Sequence, residues 1–388
     1  MGLTTQAPLV GQAYPYSVSN PLGQKIWTQY FTGSLPVTGT GQSGQNQYSR
    51  IIYGGGYYAF VNNYGYIFYS TDAKNWNIYA AVVSGTNSNI YTLAYGNGIW
   101  VLGNNVTGTP TFHTATTPNG TWTSRTSQFA NSDTINDIKY IGGTINLFVA
   151  CGTTSAGSTT VIVTSPDGIT WTSRLVDTLG TGKIYSTISF DPNTNTIGVG
   201  VQSTAIMYYS TNGTSWSASG ATGSSTQRGM QFIQGALNRW VSATGYYAQT
   251  TANLASAWTT TPYIQFRAPA NSSSFNGYGY GGVQSYEMYY DLANNYYYQF
   301  CPQQGTIAGQ SALLLTYNAN ILQTTYFITG TTTAYTFPVI KSEALPSQSA
   351  GNSVSNSTVN YAYLNGVHIY VGMAQALNDY NIEIFTTA

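Results

Sequence analysis

Two aspartates, Asp72 and Asp167, occupy the same place in a recurring turn, STDAKNW from Ser70 to Trp76 and SPDGITW from Ser165 to Trp171. A carboxylate there could act as a general acid, ligate a metal or cap backbone N–H groups. Arg267, with Tyr278 and Tyr280 set between glycines shortly after it, is the other notable set. An arginine clamps carboxylates bidentately, and a tyrosine offers a rigid ring and a hydroxyl for stacking on a sugar. The rest of the reactive inventory is thin. Glutamates are Glu287, Glu343 and Glu383; histidines are His113 and His368, both in strand-like segments. No G-x-S-x-G elbow, H-E-x-x-H helix or phosphate-cradling glycine loop occurs, so no catalytic residue, metal or cofactor is expected.

The turn itself explains the aspartates. It recurs as TTPNGTW (Thr116 to Trp122), STNGTSW (Ser210 to Trp216) and TANLASAW (Thr251 to Trp258), with Asn212 and Asn253 in the carboxylate's place and Pro118 offering nothing polar. A short Asp or Asn side chain accepts bonds from backbone N–H groups two or three residues on and fixes a tight turn. Gly168 and Gly213, and Gly120 one position later, are expected to take positive φ there. The following tryptophan covers the hairpin. Burial of roughly 150–250 Å² makes each indole worth about 4–6 kcal/mol before entropy is subtracted.

Stepping from Trp76 to Trp122, Trp171, Trp216 and Trp258 gives intervals of 46, 49, 45 and 42 residues. That period belongs to propeller blades of four strands. Within one unit, YSRIIYGG, YYAFVNN, YIFYST and WNIYAA read as successive antiparallel strands. Trp100 and Trp240 match at the start of second strands. A sixth unit without the tryptophan is expected over Ser285 to Thr329, with LQTTYFIT as its fourth strand. A seventh ends at the C-terminus with three strands. An N-terminal strand around Trp27, 49 residues before Trp76, would supply the fourth and remove the open edges. The expectation is an all-β, seven-bladed β-propeller over 21–388 behind an N-terminal arm of 1–20, with long connections at about 262–282 and 330–359.

Composition narrows the partners. The 388 residues are 42% hydrophobic and 15% aromatic but only 6% charged, with 11 basic and 11 acidic side chains balancing to zero. No positive stripe exists to meet phosphates or anionic headgroups, so neither nucleic acid nor membrane insertion is expected. The N-terminus lacks the pattern of a signal peptide, and no stretch has the length of a membrane span. Cys151 and Cys301 fall on second strands of separate units and are expected as free thiols. Most strand tyrosines, Tyr57, Tyr208 and Tyr297 among them, should fill contacts between sheets.

SPDGITW and its relatives resemble the Asp-box, or BNR, repeat of sialidases and other propellers. Four of the five turns are one residue shorter than the usual spacing. The resemblance implies that the boxes sit on the outer rim, away from the ligand face. It also raises an enzymatic alternative: FRAP, Phe266 to Pro269, resembles the FRIP motif that carries an active-site arginine in sialidases, although here it follows the fifth box instead of preceding the first. The plainer reading makes Arg267 a loop residue stacked on tyrosine. Low charge with a tyrosine-rich all-β fold is similar to bacteriophage tail, fibre and capsid-decoration proteins. The function this implies is a non-enzymatic virion protein or adhesin within an oligomeric assembly, touching other virion proteins and host-surface glycan through Arg267, Tyr278 and Tyr280. A sialidase-like hydrolase and a secreted lectin are the alternatives.

Overall fold

The computed structural model describes residues 28–34, 49–62, 65–79, 82, 92–104, 110–130, 133–153, 160–176, 183–202, 204–220, 230–235, 237–244, 247–256, 258–265, 288–301, 313–318, 323–326, 333–336, 339–344, 360–376 and 379–387. Every regular element among them is a β-strand. After β1 (Thr28–Ser34), the chain forms antiparallel four-strand meanders. The first is β2 (Ile52–Gly54), β3 (Tyr57–Val61), β4 (Ile67–Ser70) and β5 (Asn77–Tyr79). Next come β6 (Thr92–Gly96), β7 (Ile99–Asn104), β8 (Thr111–Ala115) and β9 (Thr123–Thr126). The meander β10 (Thr134–Ile141), β11 (Leu147–Thr153), β12 (Thr160–Ser165), β13 (Thr172–Val176) meets the meander β14 (Ile184–Asp191), β15 (Thr196–Gln202), β16 (Tyr208–Ser210), β17 (Ser217–Ala218) through the single pair Thr153 and Ile184. Then follow β18 (Met230–Ile233), β19 (Arg239–Thr244), β20 (Tyr247–Thr251) and β21 (Thr259–Gln265).

From here the order departs from expectation. The sheet of β22 (Met288–Asp291), β23 (Tyr296–Cys301) and β24 (Leu313–Asn318) takes as its fourth strand not the LQTTYFIT segment but β27 (Val339–Ala344). The expected strand, β25 (Gln323–Tyr326), instead forms a hairpin with β26 (Thr333–Thr336), and β26 joins the preceding sheet by parallel pairing with β21. Both LQTTYFIT and VIKSEA alternate well enough to be strands, and choice between them was left to contacts distant in the chain. Part of the stretch expected as the 330–359 connection is therefore sheet.

The last sheet is β28 (Asn360–Leu364), β29 (Val367–Ala376), β30 (Asp379–Thr386) and then β1, which runs antiparallel to β30 from Thr28 opposite Thr386 to Ser34 opposite Asn381. The chain's first described strand thus pairs along the last strand of its last sheet; Trp27, around which a closing strand is expected from the sequence, and the 1–20 arm lie outside the described residues.

Inner strands lie side by side around an axis, β28 by β2, β2 by β6, β6 by β10, β10 by β14 and β14 by β18. They are stitched by side chains that accept from the next strand's backbone: Ile138 N–H donates to Thr92 Oγ1 at 2.9 Å, Ile188 N–H to Asp137 Oδ2 at 2.8 Å, and Met230 N–H to Thr187 Oγ1 at 3.0 Å. Each is a buried donor that would otherwise go unpaired. Between the sheets lie apolar cores. Each of the five tryptophans packs into the core shared with the preceding meander: Trp76, Trp122, Trp171, Trp216 and Trp258. Trp171 stacks on Phe112 with centroids 3.8 Å apart. The indole does more than cover its own hairpin; it fastens neighbours. Trp100 and Trp240 are fully buried at matching register, and Tyr208 and Tyr297 are buried as expected.

Candidate functional site

Local hydrogen bonds commit the recurring carboxylates. Asp72 Oδ1 accepts from Lys74 N–H at 2.8 Å, Asn75 N–H at 2.7 Å and the Ser70 hydroxyl at 2.9 Å. Asp167 Oδ1 accepts from Ile169 and Thr170 N–H, both at 2.8 Å, and from Ser165 at 2.9 Å. Asn212 repeats the arrangement with its amide oxygen, taking Thr214 and Ser215 N–H at 2.9 Å, and Asn253 keeps one such bond, to Ala255 N–H. Donation from Asn75 and then Lys74 holds the Asp72 carboxyl far below its ordinary range. Burial alone would raise Asp167, but the Thr170, Ile169 and Ser165 donors together outweigh it and leave it lowered. Carboxyls held this acidic are poor proton donors. The tryptophan completes four of the turns, its Nε1 donating to the Ala73, Pro118, Gly168 and Gly213 oxygens. Gly168 and Gly213 do have positive φ, at 71° and 72°. Gly120 does not; the residue that shares their conformation is Ala73, at 58°. The Pro118 turn closes differently, by Gly120 N–H to Thr117 O.

The arginines of the described residues are dispersed. Arg50, just before β2, reaches past the second meander to Asp137 on β10, with Nη1 3.1 Å and 3.2 Å from its two oxygens. The pair is largely buried, at 13% and 2% exposure. Arg125 and Arg174, on the outer strands β9 and β13, donate through Nε to Thr114 and Thr164 of their own sheets. Arg239 is exposed at the start of β19. Arg267, Tyr278 and Tyr280 fall between β21 and β22, outside the described residues.

One polar constellation was missed by sequence reading. Asp291, at the end of β22, accepts from Asn294 Nδ2 at 2.8 Å, from Tyr298 Oη at 3.1 Å and from the hydroxyl of Tyr363 on the next sheet. His368 sits against the rings of Tyr298 and Tyr363, at centroid separations of 4.6 Å and 4.7 Å, with Nδ1 2.7 Å from Tyr361 Oη. Burial, then the bond to Asp291, pushes the Tyr363 hydroxyl up to about 12; burial and the Asp291 charge drive Tyr298 higher still. A tyrosine nucleophile needs the opposite shift. These phenols are hydrogen-bond donors that join two sheets. A signal existed, since DPNTN at 191–195 and DLANN at 291–295 are the same Asp-led hairpin turn, ending in Asn195 and Asn295 with positive φ. The two histidines are satisfied: His113 Nε2 lies 2.8 Å from Asn104 Nδ2, and burial lowers it to about 4. Among the described residues no group of three or more His, Cys, Asp and Glu is placed to hold a metal. Cys151 is buried and free, its thiol donating to Tyr185 O.

No protein-family model matches the chain, and no curated protein sequence is similar to it. Solved structures are. YCF48 bound to D1 peptide aligns with a TM-score of 0.55 at 13% identity, covering 98% of this chain and 99% of the other. YCF48 from Cyanidioschyzon merolae gives 0.52 at 12% identity, with 93% and 97% covered. An ancestral GH74 enzyme gives 0.48 at 14% identity, with 93% of this chain and 48% of that one covered. At such identities the YCF48 likeness establishes a fold and nothing finer. Together with strands paired into meanders around an axis, it makes the chain an all-β propeller.

Proposed function

We propose that the chain is a single seven-bladed propeller that binds without catalysing, as a structural or adhesin component of a virion. Each meander is one blade, and β1 completes the last. Its partners on this reading are neighbouring virion proteins and a host-surface glycan, with Arg267, Tyr278 and Tyr280 in the long link between β21 and β22 as the contact residues.

One observation supports the non-enzymatic part: several charged groups among the described residues that could do chemistry are spent on the fold. Asp72 and Asp167 cap turns, Arg50 is paired with Asp137, and Asp291 holds two tyrosine hydroxyls in their protonated form. The virion assignment draws on composition, a chain only 6% charged and rich in tyrosine, as suits neutral partners. Peptide binding has a precedent in the fold, since one similar structure holds a D1 peptide.

The test offers the purified chain a panel of immobilised glycans and a fluorogenic sialoside. Binding that Tyr278→Ala and Tyr280→Ala weaken, with no turnover, is the expected result. Turnover that Arg267→Ala abolishes would replace this reading with a sialidase-like one.

A further inference from the structure

Five Asn-Gly steps occur in the chain: Asn97-Gly98, Asn119-Gly120, Asn212-Gly213, Asn276-Gly277 and Asn365-Gly366. At such a step the glycine nitrogen can attack the preceding side-chain amide with little hindrance, because glycine has no Cβ to crowd the approach. Asn276 lies outside the described residues; the other four asparagines are all exposed. Residue type and exposure therefore rank these four alike, and their hydrogen bonds tell them apart.

Three of the four are held. Asn212 Oδ1 takes Thr214 and Ser215 N–H at 2.9 Å, and the would-be nucleophile, Gly213 N–H, donates to Ser210 Oγ at 2.8 Å. At Asn119 the corresponding Gly120 N–H is bound to Thr117 O at 3.0 Å. Asn97 sits in a two-residue hairpin turn, but its Nδ2 donates to Pro166 O of the next meander at 3.3 Å. Asn365 carries no such restraint. With Gly366 it makes the two-residue turn between β28 and β29, Leu364 opposite Val367, and both residues have positive φ, 51° and 79°. Among the described residues nothing is hydrogen-bonded to its side-chain amide or to Gly366 N–H, and a Cβ placed on Gly366 would meet nothing within 4 Å.

We propose that Asn365 is a site of spontaneous covalent modification, the first of these four asparagines to deamidate. Gly366 N attacks Asn365 Cγ, the new N–Cγ bond replaces Cγ–Nδ2, and ammonia leaves with the proton that Gly366 N gives up. Water then opens the cyclic imide at one carbonyl or the other, giving aspartate or iso-aspartate. The two products differ in consequence. Aspartate tolerates positive φ and keeps the turn. Iso-aspartate routes the main chain through Cβ and adds an atom to a loop whose two-residue length sets the register of β28 against β29. The sheet so loosened is the one that β1 completes. This inference does not depend on the virion reading.

Incubation of the folded chain at mildly alkaline pH, followed by trypsin digestion and mass spectrometry, tests it. Lys341 is the last basic residue, so Asn365 falls in the fragment 342–388, where it is the sole Asn-Gly step. Conversion of Asn365 to the acid should run roughly tenfold or more faster than that of Asn212, whose turn must first shed its hydrogen bonds, and faster than at Asn97 and Asn119. In chain denatured with urea the steps should convert at similar rates. The melting temperature should fall as iso-aspartate accumulates, whereas freshly purified Asn365→Asp should melt close to wild type. Asn365 reacting no faster than Asn119 or Asn212 in the folded chain overturns the proposal, as does a folded-chain ranking that merely repeats the denatured one. A melting temperature that Asn365→Asp lowers as far as iso-aspartate does would overturn the assigned consequence for the turn.

Discussion

A carboxylate two or three residues from the N–H groups it caps is as local as tertiary structure becomes, and that is why Asp72 and Asp167 were legible as turn residues. The prediction at this scale concerns Asp167. Replacing it by Ala should cost about 1–2 kcal/mol in urea unfolding at neutral pH, and by Asn less, because Asn212 already performs the role with an amide oxygen. The pH dependence has a definite sign. Asp167 is lowered from 3.8 in the folded chain, so its contribution is whole above the unfolded value and disappears as pH falls through the folded one. The stability gap between wild type and Asp167→Asn should therefore narrow only below about pH 4. A gap unchanged down to pH 2 would mean that the carboxylate's charge contributes nothing. Conformation at single residues was less legible: Ala73 takes the positive φ that glycine fills in two sister turns, and nothing in its residue type announces this.

Between elements, packing rests on a repeated fit of aromatic ring on glycine. Tyr95 of β6 covers Gly54 of β2, Tyr140 of β10 covers Gly96 of β6, and Tyr290 of β22 covers Gly235 beyond β18. A Cβ on Gly96 would lie 1.9 Å from Tyr140 Cγ, so the ring must move. Gly96→Ala should destabilise by roughly 1–3 kcal/mol, and much less when introduced beside Tyr140→Ala. Additive costs in that double-substitution cycle would contradict the contact. The sequence sets Tyr53 beside Gly54 and Tyr95 beside Gly96. It could not show that each ring serves the neighbouring sheet, because alternation reports which face is buried and not against what. The exchange of β25 for β27 has the same origin. Two segments of similar strand character competed for one edge, and pairing with β24 went to the one farther along the chain.

For the molecule as a whole, closure by β1 is the decisive contact. Removing residues 1–34 would leave β30 as a free edge and uncover the core that Tyr30 packs against. That truncation should lower stability by about 2 kcal/mol or more and produce concentration-dependent aggregation in light scattering. A truncated chain that stays monomeric with an unchanged melting temperature would deny the strand its role. Sequence alone determined most of the strands, the capped turns and the repeat, because each depends on alternation or on side chains bonding backbone a few residues away. It also pointed to an N-terminal strand as the missing fourth member of the last unit. Tertiary structure alone decided which strand completes the sixth unit, where each tryptophan is buried, and that Arg50 meets Asp137 across 87 residues. Those outcomes turn on which distant segments gain enough contact to offset the entropy of closing the loops between them, and that balance is struck only once the whole ring assembles.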